Sequence, residues 1–167
     1  WIKTLRFEDA SDQMVLDEYR LALEEETDRL HKFDKKIEEV SMQPELNKKV
    51  RYLMALKGIK VLTAMTIIAE ALDLRRFPNA RTFMASIGVV PSEYSSGVRE
   101  RRGSITKTGN SHLRRVAVES AWHYRHASTP GKTLKKRREG LPAEVLEIAR
   151  KADKRLSKKY WHLIHKG

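Results

Sequence analysis

The residues best suited to chemistry lie between Gly88 and Arg115. Ser95 and Ser96 stand side by side before Gly97, and Arg99, Arg101 and Arg102 follow closely. A serine next to a glycine can be brought near a ligand, because the glycine puts no Cβ in the way. Arginine guanidinium groups grip phosphate oxygens through paired N–H bonds. Lys107 extends the cationic run, and Arg114 and Arg115 carry it onto a following helix whose start is marked by Thr108-Gly109-Asn110. The free N–H groups at such a start attract anions. Together these residues suit a serine hydroxyl attacking a phosphodiester, with cations neutralising the charge on the transferring phosphoryl group. Taken on residue types alone, a flexible phosphate-binding loop explains the pattern more simply than a nucleophile. No His or Asp stands near enough in sequence to be named as the base.

Other chemistries find less support. His123 and His126, and His162 and His165, have three-residue spacing, but each pair lacks a third ligand for a metal, so no metal site is expected. The acidic residues of the basic region are too scattered for a two-metal nuclease cluster. There are no cysteines, which excludes a disulfide framework and cysteine-based zinc sites. No apolar run approaches the roughly 20 residues of a membrane span, and the N-terminal stretch is too acidic for a signal peptide. The sequence opens at Trp1 rather than Met. A fragment of a longer cytoplasmic, nucleoid-associated protein is therefore expected.

Charge is divided unevenly over the elements that must position these residues. The net charge is +12 with a pI near 10.0. Residues 1–45 hold seven Lys/Arg and thirteen Asp/Glu, a net of −6, and the remainder carries a net of +18. A basic body behind an acidic arm points to a polyanionic partner, usually nucleic acid. Residues 7–42 contain no Gly or Pro, and Leu16, Tyr19, Leu23, Glu26, Leu30, Phe33, Ile37 and Val40 step by three and four. That is a heptad stripe with a polar break at Glu26, expected to pair with another helix. Asp9, Ser11 or Asp12 can cap its start, and Pro44 closes it.

A helix over about 46–56 follows, then Lys57-Gly58-Ile59-Lys60 and an apolar helix over about 61–73. Helix, tight glycine turn, helix is the form of a helix-hairpin-helix, in which Gly58 and Lys60 would meet a DNA phosphate. An ordinary helical hairpin with Gly58 as a left-handed cap fits equally well. A helix over about 79–87 buries Phe83, Met84 and Ile87 and ends at Gly88. Pro91 to Gly109 reads as a long loop or ragged hairpin, the kind of segment where function concentrates. A strong helix runs from about Asn110 to His126 on Leu113, Val116, Ala117, Ser120, Ala121 and Tyr124. Residues 127–140 read as a basic linker. Pro142 opens a last helix packed through Val145, Leu146, Ala149, Leu156, Tyr160 and Leu163.

An ordered set of short blocks carries a resemblance. Leu56-Lys-Gly-Ile59, Thr63-Ala64, Ala69-Glu70, Arg76-Phe77, Ala80-Arg81 and Gly88-Val-Val-Pro91 come first. Tyr94-Ser-Ser-Gly97, Ile105-Thr-Lys-Thr-Gly-Asn110, Leu113-Arg-Arg115 and Glu119-Ser-Ala-Trp122 follow. Over about residues 46–165 the chain resembles the C-terminal domain of the insertion-sequence 110/116/902 transposase family, to which pilin-gene DNA invertases are related. The resemblance implies a RuvC-like nuclease domain with four acidic metal ligands, then a coiled coil, then this domain. It implies that the serine directly before the glycine, Ser96, is the nucleophile that becomes linked to DNA, with Ser95 as the alternative. It places magnesium in the nuclease domain and no cofactor in this fragment. Some members use a structured non-coding RNA as a guide.

The expected fold is mainly α, with a coiled-coil arm over 1–45 and a compact helical domain over 46–167 that holds the helix-hairpin-helix-like element and at most a small β-hairpin. The expected function is that of a DNA transposase or site-specific recombinase fragment, inactive without the nuclease domain. Its partners are DNA, a guide-like RNA in some members, and further copies through the coiled coil, with no membrane. The expected DNA contacts are Gly58, Lys60, Arg99, Arg101, Arg102, Lys107, Asn110, Arg114 and Arg115. The rival reading is a non-catalytic helix-hairpin-helix module in which Ser96 only binds phosphate. A third is a coiled-coil assembly subunit whose basic body is incidental.

Overall fold

The computed structural model describes residues 1–97 and 99–166. The chain divides into two units, Trp1–Val40 and Ser41–Gly167. The fold is mainly helical, with one small antiparallel sheet. Among the described residues, no helix is long and apolar enough to cross a membrane.

Helix α1 (Ala10–Ser41) runs unbroken for 32 residues, as the absence of Gly and Pro leads one to expect. Of the three candidate caps, Asp9 is the one used: its carboxylate accepts from the Ser11 N–H at 2.7 Å and the Asp12 N–H at 3.2 Å. The N–H of Asp12, and then that of Ser11, hold this carboxyl below its usual range. Tyr19, Leu23, Leu30 and Phe33 are all more than half exposed, so the heptad stripe lies open.

In the second unit, Gln43 stands at the cap of α2 (Pro44–Leu53), and Pro44 fits the first turn, where its missing N–H costs nothing. A turn through Gly58 leads into α3 (Val61–Ala71). Helix α4 (Ala80–Ser86) starts at Asn79, whose side chain accepts from the Thr82 N–H at 3.0 Å. Strands β1 (Pro91–Glu93) and β2 (Arg102–Ile105) pair antiparallel, with Pro91 opposite Ile105 and Glu93 opposite Arg102. Helix α5 (Ser111–Trp122) continues into a 3-10 turn over His123–Arg125. Helices α6 (Lys132–Arg138) and α7 (Ala143–Ile164) complete the unit.

Three small apolar clusters share members and so act as one core. Val50, Ile59 and Ala64 join α2 to α3. Ala55, Leu141 and Ala149 join the turn to α7, with Leu56 common to both clusters. Ala71, Ile87 and Leu113 join α3, α4 and α5, with Ile67 reaching into the first cluster. The basic segment 127–140 is not a plain linker. It contains α6, which buries Leu134 and sends two arginines inward. Arg138 donates to the Ala55 carbonyl at 2.9 Å and pairs with buried Asp153 at 2.8 Å. Arg137 donates to the Ile59 carbonyl, and its burial lowers its own pKa. Met84 and Leu163, expected inside, are exposed. Each sits near a helix end, where period alone does not say whether a neighbour covers the face.

The chain crosses itself closely where α4 ends and α5 begins. Lys107 N–H donates to the Gly88 carbonyl at 3.0 Å, Thr106 N–H to Val90 at 2.9 Å and Asn110 N–H to Ser86 at 3.2 Å. Gly88 and Gly109 have φ of +67° and +78°. A Cβ on Gly88 would collide with the Thr108 carbonyl oxygen, and one on Gly109 with that of Ser86. Backbone is what they meet, so no side chain can swing aside. Gly88→Ala and Gly109→Ala should each destabilise the chain by about 3 kcal/mol or more, from the left-handed φ and the clash together. Gly131→Ala, which meets nothing within 4 Å, should stay within about 0.5 kcal/mol. Urea unfolding of the three variants measures this; equal stabilities would refute the crossing as a constraint.

Candidate functional site

The serines sit on a hairpin that β1 and β2 begin and that continues past them. The Tyr94 N–H donates to the Arg101 carbonyl at 2.9 Å, and Ser96 and Arg99 exchange two N–H···O bonds at 3.3 Å. Glu93 is opposite Arg102 and Ser96 opposite Arg99, so the rungs step evenly towards the tip. In such a ladder successive side chains alternate between faces, and cross-strand partners share one. Ser96 therefore shares a face with Arg99, Arg101 and Tyr94. Ser95 shares the other with Glu93, Glu100 and Arg102.

Two contacts on that second face agree. The Ser95 hydroxyl donates to Glu93 Oε1 at 2.8 Å, and Arg102 pairs with Glu100 at 3.3 Å. The second face thus satisfies its own charges. The first carries Arg99 and Arg101 with no carboxylate beside them on the ladder. Among the described residues the Ser96 hydroxyl makes no hydrogen bond, and the residue is exposed. The carboxylate that meets Ser95 was not anticipated. The signal was present in the sequence: Glu93 and Ser95 are two apart, which is one face of a strand.

The other expected contact residues divide into exposed groups and structural ones. Lys60 is exposed at the start of α3 and caps nothing with its side chain. Lys107 is exposed and holds a φ of +56°, unusual for a residue with a Cβ. Arg115 is exposed and pairs with Glu119 at 3.0 Å along its own helix. Gly58, by contrast, is turned into the protein. Its φ is +82°, and a Cβ there would lie 2.5 Å from the Ser120 carbonyl oxygen and 2.8 Å from the His123 ring. Neighbouring Lys57 donates to the Ala127 carbonyl at 2.6 Å.

Asn110 and Arg114 are also engaged. The Asn110 side chain accepts from the Leu113 N–H at 2.8 Å and donates to Glu70 at 2.6 Å. It caps α5 and ties it to α3. Arg114 is half-buried and donates to the Ile87 carbonyl at 3.0 Å and the Thr108 carbonyl at 3.3 Å. It straps together the two segments that cross at Gly88 and Gly109. Among the described residues, no three His, Asp or Glu side chains gather as metal ligands would.

Adjacent arginines should therefore behave differently. Arg114→Ala leaves two carbonyls unpaired and should cost about 1–3 kcal/mol of stability. Arg115→Ala, losing only a surface ion pair, should cost less than about 1 kcal/mol. Because Arg115 is a DNA contact expected from the sequence, the change should instead weaken DNA binding and flatten its salt dependence. Thermal unfolding and salt-titrated binding of the two variants separate these roles. Equal stabilities would reject the strap.

Comparison with known proteins bears on what this arrangement belongs to. The family model described as "Transposase IS116/IS110/IS902 family" matches residues 50–136, which include the whole serine hairpin. The y4qE protein of Sinorhizobium fredii, designated a transposase, is 41% identical over 115 residues, covering 69% of this chain and 30% of that protein. The transposase for insertion sequence element IS1533 of Leptospira borgpetersenii is 30% identical over 165 residues, covering 98% of this chain and 47% of that protein. The chain thus spans less than half the length of these relatives. With just over half its residues inside the family model, this chain belongs to the IS116/IS110/IS902 transposase family.

Proposed function

We propose that this chain supplies the nucleophile and the phosphate-gripping surface of a DNA transposase, with Ser96 attacking the strand. The observation that carries this reading is the division of the hairpin into a cationic face bearing Ser96 and a self-neutralised face bearing Ser95. A phosphodiester carries negative charge and gathers more in the transition state, so it is drawn to the face where Arg99 and Arg101 stand. The Ser96 oxygen forms a bond to phosphorus, the bond from phosphorus to one bridging DNA oxygen breaks, and the serine proton ends on that oxygen as a hydroxyl. The phosphoserine link conserves the energy of the phosphodiester for rejoining.

A serine hydroxyl needs a group to take its proton. Glu93 is occupied by Ser95 on the opposite face, so the acceptor for Ser96 comes from outside this hairpin. A nuclease domain holding magnesium would fill that part, as the family resemblance implies. A guide-like RNA is a further partner that the resemblance implies. The rival helix-hairpin-helix module finds less support, because Gly58 faces Ser120 and His123 rather than solvent. Lys60 alone would have to carry the phosphate there.

In an intact transposase bearing these residues, labelled DNA on a denaturing gel should show a protein-linked strand for wild type and Ser95→Ala, and none for Ser96→Ala. DNA affinity should fall less than about threefold, because one hydroxyl adds little to a charge-dominated interface. Loss of the adduct in Ser95→Ala alone would transfer the role to Ser95 and its Glu93 contact. An adduct untouched by either change would leave a DNA-binding module.

The arm is the assembly element in this reading. Its exposed Tyr19, Leu23, Leu30 and Phe33 form an apolar strip that a lone helix leaves in water. Sedimentation should show wild type as an oligomer and Leu23→Lys, Leu30→Lys as a monomer. Two monomers at high concentration would exclude the arm from assembly.

A further inference from the structure

A second surface stands apart from the serine hairpin, at the far end of α5. The 12 residues of α5 carry the chain roughly 16 Å away from its start at Asn110. There Trp122 meets Tyr160 at 6.5 Å between ring centroids, Tyr160 meets Trp161 at 5.5 Å, and Trp161 meets His165 at 5.9 Å. The interplanar angles are 65°, 86° and 71°, so the rings meet edge to face and not in parallel stacks. Trp122 and Trp161 are 55% and 47% exposed, so about half of each side chain is open to a ligand, while Tyr160 between them is half-buried. Arg125 lies over the Trp122 ring at 6.0 Å.

The charge around this row is predominantly positive, and Glu119, three residues before Trp122, is paired with Arg115 at 3.0 Å. From Arg150 to Lys166 there are seven Lys/Arg and a single carboxylate, Asp153. That carboxylate is 3% exposed and paired with Arg138, so it does not offset the surface charge. Lys158 is three residues before Trp161 on the same helix face. A protein-docking face of this size would be expected to mix signs or exclude charge at its centre. Half-exposed tryptophans among predominantly cationic side chains are instead what single-stranded nucleic acid uses: bases stack on the rings, and phosphates follow the cations. Duplex DNA keeps its base faces covered and can use only the cations.

We propose that Trp122, Tyr160 and Trp161, flanked by Arg125 and Lys158, form a stacking platform for single-stranded DNA. The inference rests on the DNA-strand reading above but not on Ser96 as nucleophile. The platform would hold an unpaired strand away from the hairpin while the hairpin acts on a phosphate.

The test uses the 167-residue chain carrying Trp1→Phe, so that Trp122 and Trp161 alone report. Fifteen-residue oligo(dT) should quench tryptophan fluorescence, and heparin and a duplex of equal length should bind without quenching. Trp161→Ala should lower oligo(dT) affinity about tenfold and leave duplex affinity unchanged. Trp161→Phe should restore most of the loss, which separates the ring's role from any folding defect. Equal losses for duplex and single strand, or quenching by heparin, would overturn the platform. Tighter binding of oligo(U) than oligo(dT) would overturn its assignment to DNA. Sedimentation showing self-association lost in Trp161→Ala would make it a protein contact instead. The covalent-adduct assay is independent, so either claim can fail alone.

Discussion

The approach of two backbone segments at Gly88 and Gly109 is the constraint on which the arrangement depends. Residues 86–90 and 106–110 lie so close that neither glycine has room for a Cβ. Their N–H groups and carbonyls pair across the gap, which extends the short β-ladder back to the ends of two helices. The serine hairpin therefore leaves from a rigid base and not from two free loop ends. Arg114 reinforces this base by donating to a carbonyl on each side. Asn110 links it to α3 through Glu70. A single guanidinium and a single amide thus bind α3, α4 and α5 to the root of the hairpin, where a small core alone would hold them loosely.

From that root the hairpin presents two unlike faces. The period of two along an extended chain is enough to separate Ser96 with its arginines from Ser95 with its carboxylate. The separation matters because Coulombic effects weaken steeply with distance and solvent. A carboxylate on the same face would compete with phosphate for Arg99 and Arg101. On the far face it finds Ser95, and Glu100 finds Arg102. Membership of the transposase family does not by itself choose between the serines; this sorting of charge is what favours Ser96 in the proposed mechanism.

The positive charge of the body serves two purposes. Arg114, Arg137 and Arg138 are turned inward onto backbone carbonyls, where five fixed donors per guanidinium let one side chain bridge several chain segments. Asp153 answers Arg138 inside the protein. Removing either member would strand a buried charge, a loss of about 3–5 kcal/mol in comparable pairs. Other cations on the hairpin and on α7 stay at the surface, some of them, such as Arg102 and Lys151, in exposed ion pairs. Net charge alone does not distinguish these populations.

Much of the framework was legible in residue order, because its signals are local. The Gly- and Pro-free run of α1, Pro44 in the first turn of α2, Gly88 after α4 and Asn110 before α5 all act within a few residues of their own position. The family blocks are likewise short and ordered. What residue order did not reveal depends on atoms far apart in the chain. Gly58 turns out to be needed where the hairpin turn meets Ser120, and Arg114 reaches back to Ile87. Helix α6 forms in a segment that reads as a linker because Ala55 and Asp153 receive its last arginine. The two serines, equal in sequence, part company only when strand pairing assigns them opposite faces. Sequence alone determined most of the helices and the family to which the chain belongs, because those signals are local or ordered along the chain. Tertiary structure decided which polar groups are consumed in holding the fold and which remain for a ligand, because a hydrogen bond made inside the protein removes that donor from any other use.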